Sequence, residues 1–391
     1  MNFLGPLCLL IIATTLAGHF AHRLGIPAVI GEILVGVLLG PAVFNVIQLN
    51  HLVQTFADIG VVVLMFIGGL ESNLTLLRKY LRPAIIVAII GVIFPVVVMG
   101  LVSRLFQFSW FEALFIGVIF SATSVSISVE VLKEFKALDT KEGATILGAA
   151  VADDIIGVIL LSIMISMMGQ TSGVSQTNLG LVLLEQVAFF VGVFVVIKWG
   201  APILMRLSDH LLMSASPTIM AIIICLAMAW LANLVGLSGA IGAFFAGVAI
   251  AQTDYQTQVD ISIEPVGYTM FIPLFFASVG LNMTFKGFWQ SFPFIVVMTI
   301  LGVVTKLVGC GLGARLNGFS GRSNYVVGAG MISRGEMALI TAQIGFSAHL
   351  LSSDYYSDVI LVIILVTMIA PFMLKDAIHR APKLMVSDKS A

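Results

Sequence analysis

Asp153 and Asp154 stand side by side in a run of roughly two dozen residues, Gly143 to Gly169, that is otherwise apolar enough to cross a bilayer. An ionisable side chain in hydrocarbon is costly and marks an ion or proton path. Two adjacent carboxylates sharpen the problem, because like charges a few ångströms apart cannot both ionise freely and a proton or a metal cation has to relieve them. Na⁺ or another small cation would then compete with H⁺ for one set of oxygens, which is the chemistry of cation/proton exchange. Lys306 is a second charge at membrane depth. It lies more than two helical turns from the nearest loop charge, Arg315, too far to snorkel out, so a carboxylate partner is expected. Arg334 and Glu336 are expected to neutralise each other and to hold an irregular segment. Glu32, Asp58, Glu71 and Glu185 fall nearer segment ends, where solvated or packing roles are expected, and Lys198 is expected to reach the headgroups.

The elements that position these residues have to be membrane spans. With 59% hydrophobic and 10% charged residues over 391 positions, and a mean hydropathy of +1.11, the chain lies far from the averages of soluble domains. About thirteen apolar segments of span length follow one another, centred near Ile11, Val35, Val63, Val92, Ala122, Ile156, Phe190, Ile223, Phe245, Leu274, Val303, Gly330 and Ile364. With the N-terminus placed outside, the inward-facing connections and tail hold Arg23, Arg78, Lys79, Arg82, Lys133, Lys136, Lys141, Arg206, Arg315, Arg322, Lys375, Arg380, Lys383 and Lys389. The opposite side holds Arg104 and Lys286. That bias predicts an outer N-terminus and an inner C-terminus. The first segment lacks the basic flank of a cleavable signal and is read as a retained span.

Other chemistries find no support. The net charge is -1, and no basic cluster interleaved with aromatics points to nucleic acid. No zinc-protease motif, phosphate loop or dinucleotide fingerprint occurs, so no cofactor is expected. Cys8, Cys225 and Cys310 are far apart within apolar segments and are expected to be packed thiols.

Two segments are poor helices. Phe120 to Ser128 carries five hydroxyl residues, and Gly328 to Glu336 mixes glycines with a charge pair. Both are predicted to interrupt their spans. They are the fifth and twelfth segments, and an offset of seven makes two copies run in opposite directions. An inverted repeat of six spans, a linking span and six more follows. Discontinuous helices would expose carbonyls and helix ends near the midplane, where a cation and its carboxylates could meet.

Gly31 to Pro41, Phe66-Ile-Gly-Gly-Leu-Glu71, Ser121-Ala-Thr-Ser-Val125, Val151-Ala-Asp-Asp154, Phe271 to Gly280, Lys306 and Ser333 to Leu339, in this order, give the chain a specific likeness. It resembles the monovalent cation:proton antiporter-2 family, and within it the NapA-type Na⁺/H⁺ antiporters. The resemblance implies an all-α polytopic membrane protein with two broken, crossed helices, forming one transmembrane antiporter domain over 1–385 and a short tail over 386–391. It implies a core bundle, here about 83–169 and 289–381, a dimerisation bundle from the remaining spans, a homodimer, and alternating access in a cell membrane. Asp154 would be the main ion and proton carboxylate, Asp153 would pair with Lys306 and share in holding Na⁺, and Thr123 and Ser124 would supply oxygen ligands. The Asp-Asp form implies electrogenic exchange of internal Na⁺ or Li⁺ for external H⁺. A K⁺/H⁺ antiporter is the alternative, but potassium-efflux relatives often carry Gln-Asp at this pair and continue into a nucleotide-binding domain, and neither feature is present. An intramembrane aspartyl protease fits less well, since such enzymes hold their two aspartates on different helices; a channel would want rings of ligands along a path.

Overall fold

The computed structural model describes residues 4–24, 27–168, 179–208, 216–283, 288–289, 291–347, 351 and 353–381. The expected tail over 386–391, together with Lys286, Lys383 and Lys389, lies outside the described residues. Among them all regular structure is helical: α1 (Leu4–Arg23), α2 (Ala28–Leu39), α3 (His51–Leu70), α4 (Leu74–Lys79), α5 (Leu81–Leu105), α6 (Trp110–Ile119), α7 (Val125–Glu134), α8 (Lys141–Met168), α9 (Leu179–Val195), α10 (Ala201–Ser208), α11 (Ser216–Leu234), α12 (Gly239–Ile250), α13 (Gln256–Val266), α14 (Ile272–Leu281), α15 (Phe292–Leu316), α16 (Gly321–Gly330), α17 (Glu336–Ser347) and α18 (Ser353–His379). Single π-turns, Val196–Gly200 and Gly267–Phe271, join α9 to α10 and α13 to α14. The second follows Pro265, whose missing N–H breaks the regular ladder.

Nine helices among the described residues are long and apolar enough to cross a membrane, and α2, α6 and α12 are shorter apolar helices. Each of the thirteen expected centres falls on one helix or on a helix pair. Only helices satisfy every backbone group without water, which is why so apolar a chain folds this way.

The inverted repeat is written into the numbering. α2 and α12, α5 and α15, and α6 and α16 each begin and end 211 residues apart (239 against 28, 292 against 81, 321 against 110). Their packing follows the same exchange: α2 lies on α14 as α12 lies on α3, α1 on α2 as α11 on α12, and α5 on α8 as α15 on α18. Glycines set the closest approaches. A Cβ at Gly36 would stand 1.9 Å from the Ala277 carbonyl oxygen, and one at Gly69 would stand 2.1 Å from that of Phe244. Gly280 and Gly247 face these two positions at the same spacing, so each half contributes one partner to each crossing. Gly309 and Gly313 likewise admit Phe94 and Val87 of α5.

Two groups of helices result. α5 to α8 pack with α15 to α18, while α1 to α3 pack with α11 to α14, and α7 touches both α2 and α3. Cys225 and Cys310 are buried as expected, but Cys8 is exposed on the outer face of α1. Apolar neighbours in sequence did not bury it because α1 turns Leu9, Ile12, Leu16 and Phe20 outward as well, a surface suited to lipid.

Substituting Gly36 by Val should force α2 from α14 and lower stability by about 1–3 kcal/mol. Gly192→Ala, with nothing within 4 Å of the added Cβ, should be neutral. Thermal unfolding in detergent checks the pair; equal midpoints would contradict the close crossing.

Candidate ion-binding site

The site begins where two helices stop. Ser109 and Ser320 cap the starts of α6 and α16, their hydroxyls accepting from the N–H groups of Glu112 and Ser323. Both helices run ten residues and end, at Phe120 and at Met331. Hydroxyl and glycine residues then hold extended chain, since Ser and Thr side chains compete with the helical ladder and glycine adds no side-chain support. The two extended stretches cross. The Ser124 N–H donates to the Ser333 carbonyl at 2.9 Å, and the Ser333 hydroxyl returns a bond to the Ser124 carbonyl, also at 2.9 Å. Ser128 Oγ donates to the Gly330 carbonyl at 2.5 Å and lies 3.1 Å from Ser333 Oγ. Backbone groups freed by the breaks are thus paired within the protein. A Cβ at Gly335 would lie 2.4 Å from Ser124 Oγ, so only glycine permits this crossing.

Asp153, on α8, meets Lys306, on α15, the pairing that the family resemblance implies. Lys306 Nζ donates to Asp153 Oδ2 at 2.5 Å, and both side chains are fully buried. Thr123 Oγ1, in the first break, donates to the same oxygen at 2.6 Å. The pair is packed tightly, because a Cβ at Gly91 of α5 would touch Cys310 Sγ at 2.4 Å and approach Lys306 Nζ at 3.7 Å. Ser124 Oγ and Asp153 Oδ1 are buried with no hydrogen-bond partner among the described residues.

Asp154, the next residue on α8, lines with Asp153 a cavity of about 20 Å³ walled by Val118, Ala122, Gly157 and Met337. That volume suits one water or one bare small ion. A funnel of about 870 Å³ shares Val158, Leu161, Met337 and Thr341 with the cavity and is edged by Gln54, Asp58, Asn233, Asn282 and Tyr356. The carboxylates therefore sit behind a thin wall at the end of a wide opening. That opening lies toward the starting end of α3.

Arg334 is fully buried in the second break. Its guanidinium donates to the carbonyls of Met331 at 3.2 Å and Gly302 at 3.1 Å, and Thr367 Oγ1 donates to its own carbonyl. The cation thus faces the carboxyl end of α16, where helix dipoles gather negative charge. The expected Arg334 and Glu336 pairing cannot be followed, since the Glu336 side chain lies outside the described residues. Sequence reasoning did not single out Glu130, seven residues beyond Thr123 on α7, whose carboxylate accepts from the Tyr268 hydroxyl at 2.8 Å. A lone carboxylate inside the otherwise uncharged run Val125 to Leu132 was the available signal. Glu71, expected to be solvated or to pack, is instead ion-paired with Lys133 at 2.9 Å.

Among the described residues no cluster of three or more His, Cys, Asp or Glu could hold a metal. A cation here would be cargo, sharing carboxylate and hydroxyl oxygens.

Comparison with known proteins agrees with this arrangement. The family described as sodium/hydrogen exchanger, transmembrane, matches residues 9–377. A Na⁺/H⁺ antiporter of Enterococcus hirae is 49% identical over 377 residues, 96% of this chain and 98% of its own length. The Na⁺/H⁺-K⁺ antiporter GerN of Bacillus cereus is 42% identical over 391 residues, 99% of each chain. The solved sodium proton antiporter MjNhaP1 of Methanocaldococcus jannaschii superposes with a TM-score of 0.70 at 16% identity, covering 98% of this chain and 99% of that one, which establishes the shared fold. The chain is a multi-pass membrane protein and belongs to the sodium/hydrogen exchanger family.

Proposed function

We propose that this protein is a secondary Na⁺/H⁺ antiporter in which Asp154 is the exchangeable carboxylate. One observation carries the assignment. Asp153 and Asp154 together line the ion-sized cavity behind the funnel, and one Asp153 oxygen is held there by Lys306 and Thr123; the family resemblance makes Asp154 the exchanging member of the pair. Na⁺ or Li⁺ would take oxygens from Asp154 and Asp153, with Thr123 and Ser124 as neighbours; protonation of Asp154 would release it. The relatives named as Na⁺/H⁺ antiporters support this reading, and the name of GerN adds K⁺ as a second cation to test. A peptidase fits poorly, because Asp153 is engaged by a lysine rather than poised across a water from a second helix.

The transport cycle alternates access. The helices packed around α8 and α15 would move against those around α3 and α12, opening the site first to one face and then to the other. With the basic connections inside, the funnel opens outward and internal Na⁺ is exported against entering H⁺. A homodimer in the cell membrane is part of the proposal, resting on family resemblance.

The Lys306 ion pair gives the cycle its charge. Na⁺ drawn to the two carboxylates competes with the ammonium for Asp153, so Lys306 gives up a proton as the ion binds and takes one back after release. Two protons then move for each Na⁺, one at Asp154 and one at Lys306, and the cycle carries net charge.

Asp154→Asn should abolish exchange in proteoliposomes driven by a pH gradient while leaving a folded protein; Na⁺, Li⁺ and K⁺ tested in turn define the cargo. Wild-type transport from that variant would overturn the assignment, and conduction without proton coupling would indicate a channel. Lys306→Gln should lower stability by about 3–5 kcal/mol, because Asp153 keeps a buried charge without its partner. It should also stop transport or make it insensitive to a potential clamped with K⁺ and valinomycin; wild-type exchange indifferent to that potential would refute the electrogenic cycle. A cysteine at Arg78 should react with impermeant reagents from the cytoplasmic side alone, and labelling from outside would invert the orientation.

A further inference from the structure

At the end of α3 opposite the funnel, the last turn of α7 reaches across the division between the two helix groups with three side chains. Lys133 Nζ donates to Glu264 of α13 at 2.8 Å and lies 2.9 Å from Glu71, just past α3. The same ammonium stands 4.7 Å above the Tyr268 ring, and the Tyr268 hydroxyl donates to Glu130 at 2.8 Å. Glu134 accepts from the Ala28 N–H, which opens α2, at 3.3 Å. One turn earlier, Val129 presses on α3 where a Cβ at Gly68 would come within 2.8 Å of its Cγ1. The Lys133 side chain is only 16% exposed, so the charge pairs are sheltered rather than surface decoration.

We propose that this turn of α7 is the gate of the face opposite the funnel. Lys133 clasped between Glu71 and Glu264, backed by Tyr268 on Glu130, holds that face shut while the funnel is open, and the clasp parts once in every transport cycle. The inference rests on the alternating-access reading above. An exchanger open on both faces would leak, so the funnel requires a seal on the far side, and charge-assisted bonds across the moving boundary supply one that can be remade. α7 also ties the gate to the ion site. It is ten residues long, about 15 Å; just before its first turn Thr123 holds Asp153, and its last turn carries Lys133. A cation that disturbs Thr123 therefore pulls on the clasp through one rigid rod.

The test uses the full chain in lipid nanodiscs, with Cys8, Cys225 and Cys310 replaced by Ala and a reporter cysteine at Val129, which is fully buried. A charged methanethiosulfonate is the probe. Lys133→Met and Glu264→Gln should each raise the reporter's labelling rate by about tenfold, the scale of one charge-assisted bond. In the Glu264→Gln background, which removes the carboxylate that would face the new one, the exchanged pair Lys133→Glu with Glu71→Lys should bring the rate back to that of Glu264→Gln alone. A cysteine placed instead at Ile146, fully buried away from the gate, should stay unlabelled in every variant, which separates gate opening from unfolding. Unchanged Val129→Cys labelling in folded variants, or no recovery in the exchanged pair, overturns the gate while leaving Na⁺/H⁺ exchange by the parent intact. Failure of the parent to exchange Na⁺ for H⁺ would strike the functional reading itself and take the gate with it.

Discussion

The rest of the structure depends on the ion pair of a buried ammonium and a buried carboxylate, Lys306 and Asp153. The Lys306 and Asp153 side chains are fully buried, and either one alone would carry a large desolvation cost. Their contact locks α15 to α8, and Thr123, sharing the same carboxylate oxygen, locks the first break to both. The crossed breaks follow the same rule at the level of the backbone. Ser124, Ser128 and Ser333 pair freed backbone groups of one break with the other, while the Met331 carbonyl accepts from the Arg334 guanidinium and the Arg334 carbonyl from Thr367. Membrane depth leaves no other donor or acceptor.

A symmetric scaffold carries asymmetric chemistry. At the spacing of 211 residues that relates the two halves, Lys306 corresponds to Pro95, Arg334 to Thr123, and Asp153 to Ile364. One half therefore supplies both buried cations and the other both carboxylates. The carboxyl end of α16 faces the Arg334 guanidinium, while the end of α6 lies beside the ion-sized cavity with a neutral Thr123 in the corresponding place. The unequal charges make the two halves chemically distinct on a shared backbone plan. The helix that begins just after Thr123 continues to the charged turn at Lys133, so one element links the ion site to the far face.

Much of this was legible in the chain. Thirteen apolar runs, two interruptions seven segments apart, and isolated charges at Asp153, Asp154 and Lys306 needed only the cost of burying polar groups in hydrocarbon to be read. The isolation of Lys306 called for a carboxylate partner, and the family resemblance named Asp153. The partner of Glu71 was not legible, for the opposite reason. Glu71 stands at a segment end, where water is available, and nothing local reveals that Lys133, sixty residues on, folds against it. Cys8 was misjudged because apolar composition marks burial in lipid and in protein alike.

By itself, then, the sequence determined the membrane setting, the inverted order of the spans and the charges that had to meet, since each is fixed by local polarity and by count. Tertiary structure alone decided that the two carboxylates line an ion-sized cavity, that Arg334 turns to the carbonyls of Met331 and Gly302, and that the last turn of α7 closes on α2, α3 and α13. Those facts depend on how helices distant in sequence rotate and cross, and a rotation of one residue, about 100° on a helix, would send each of these side chains elsewhere.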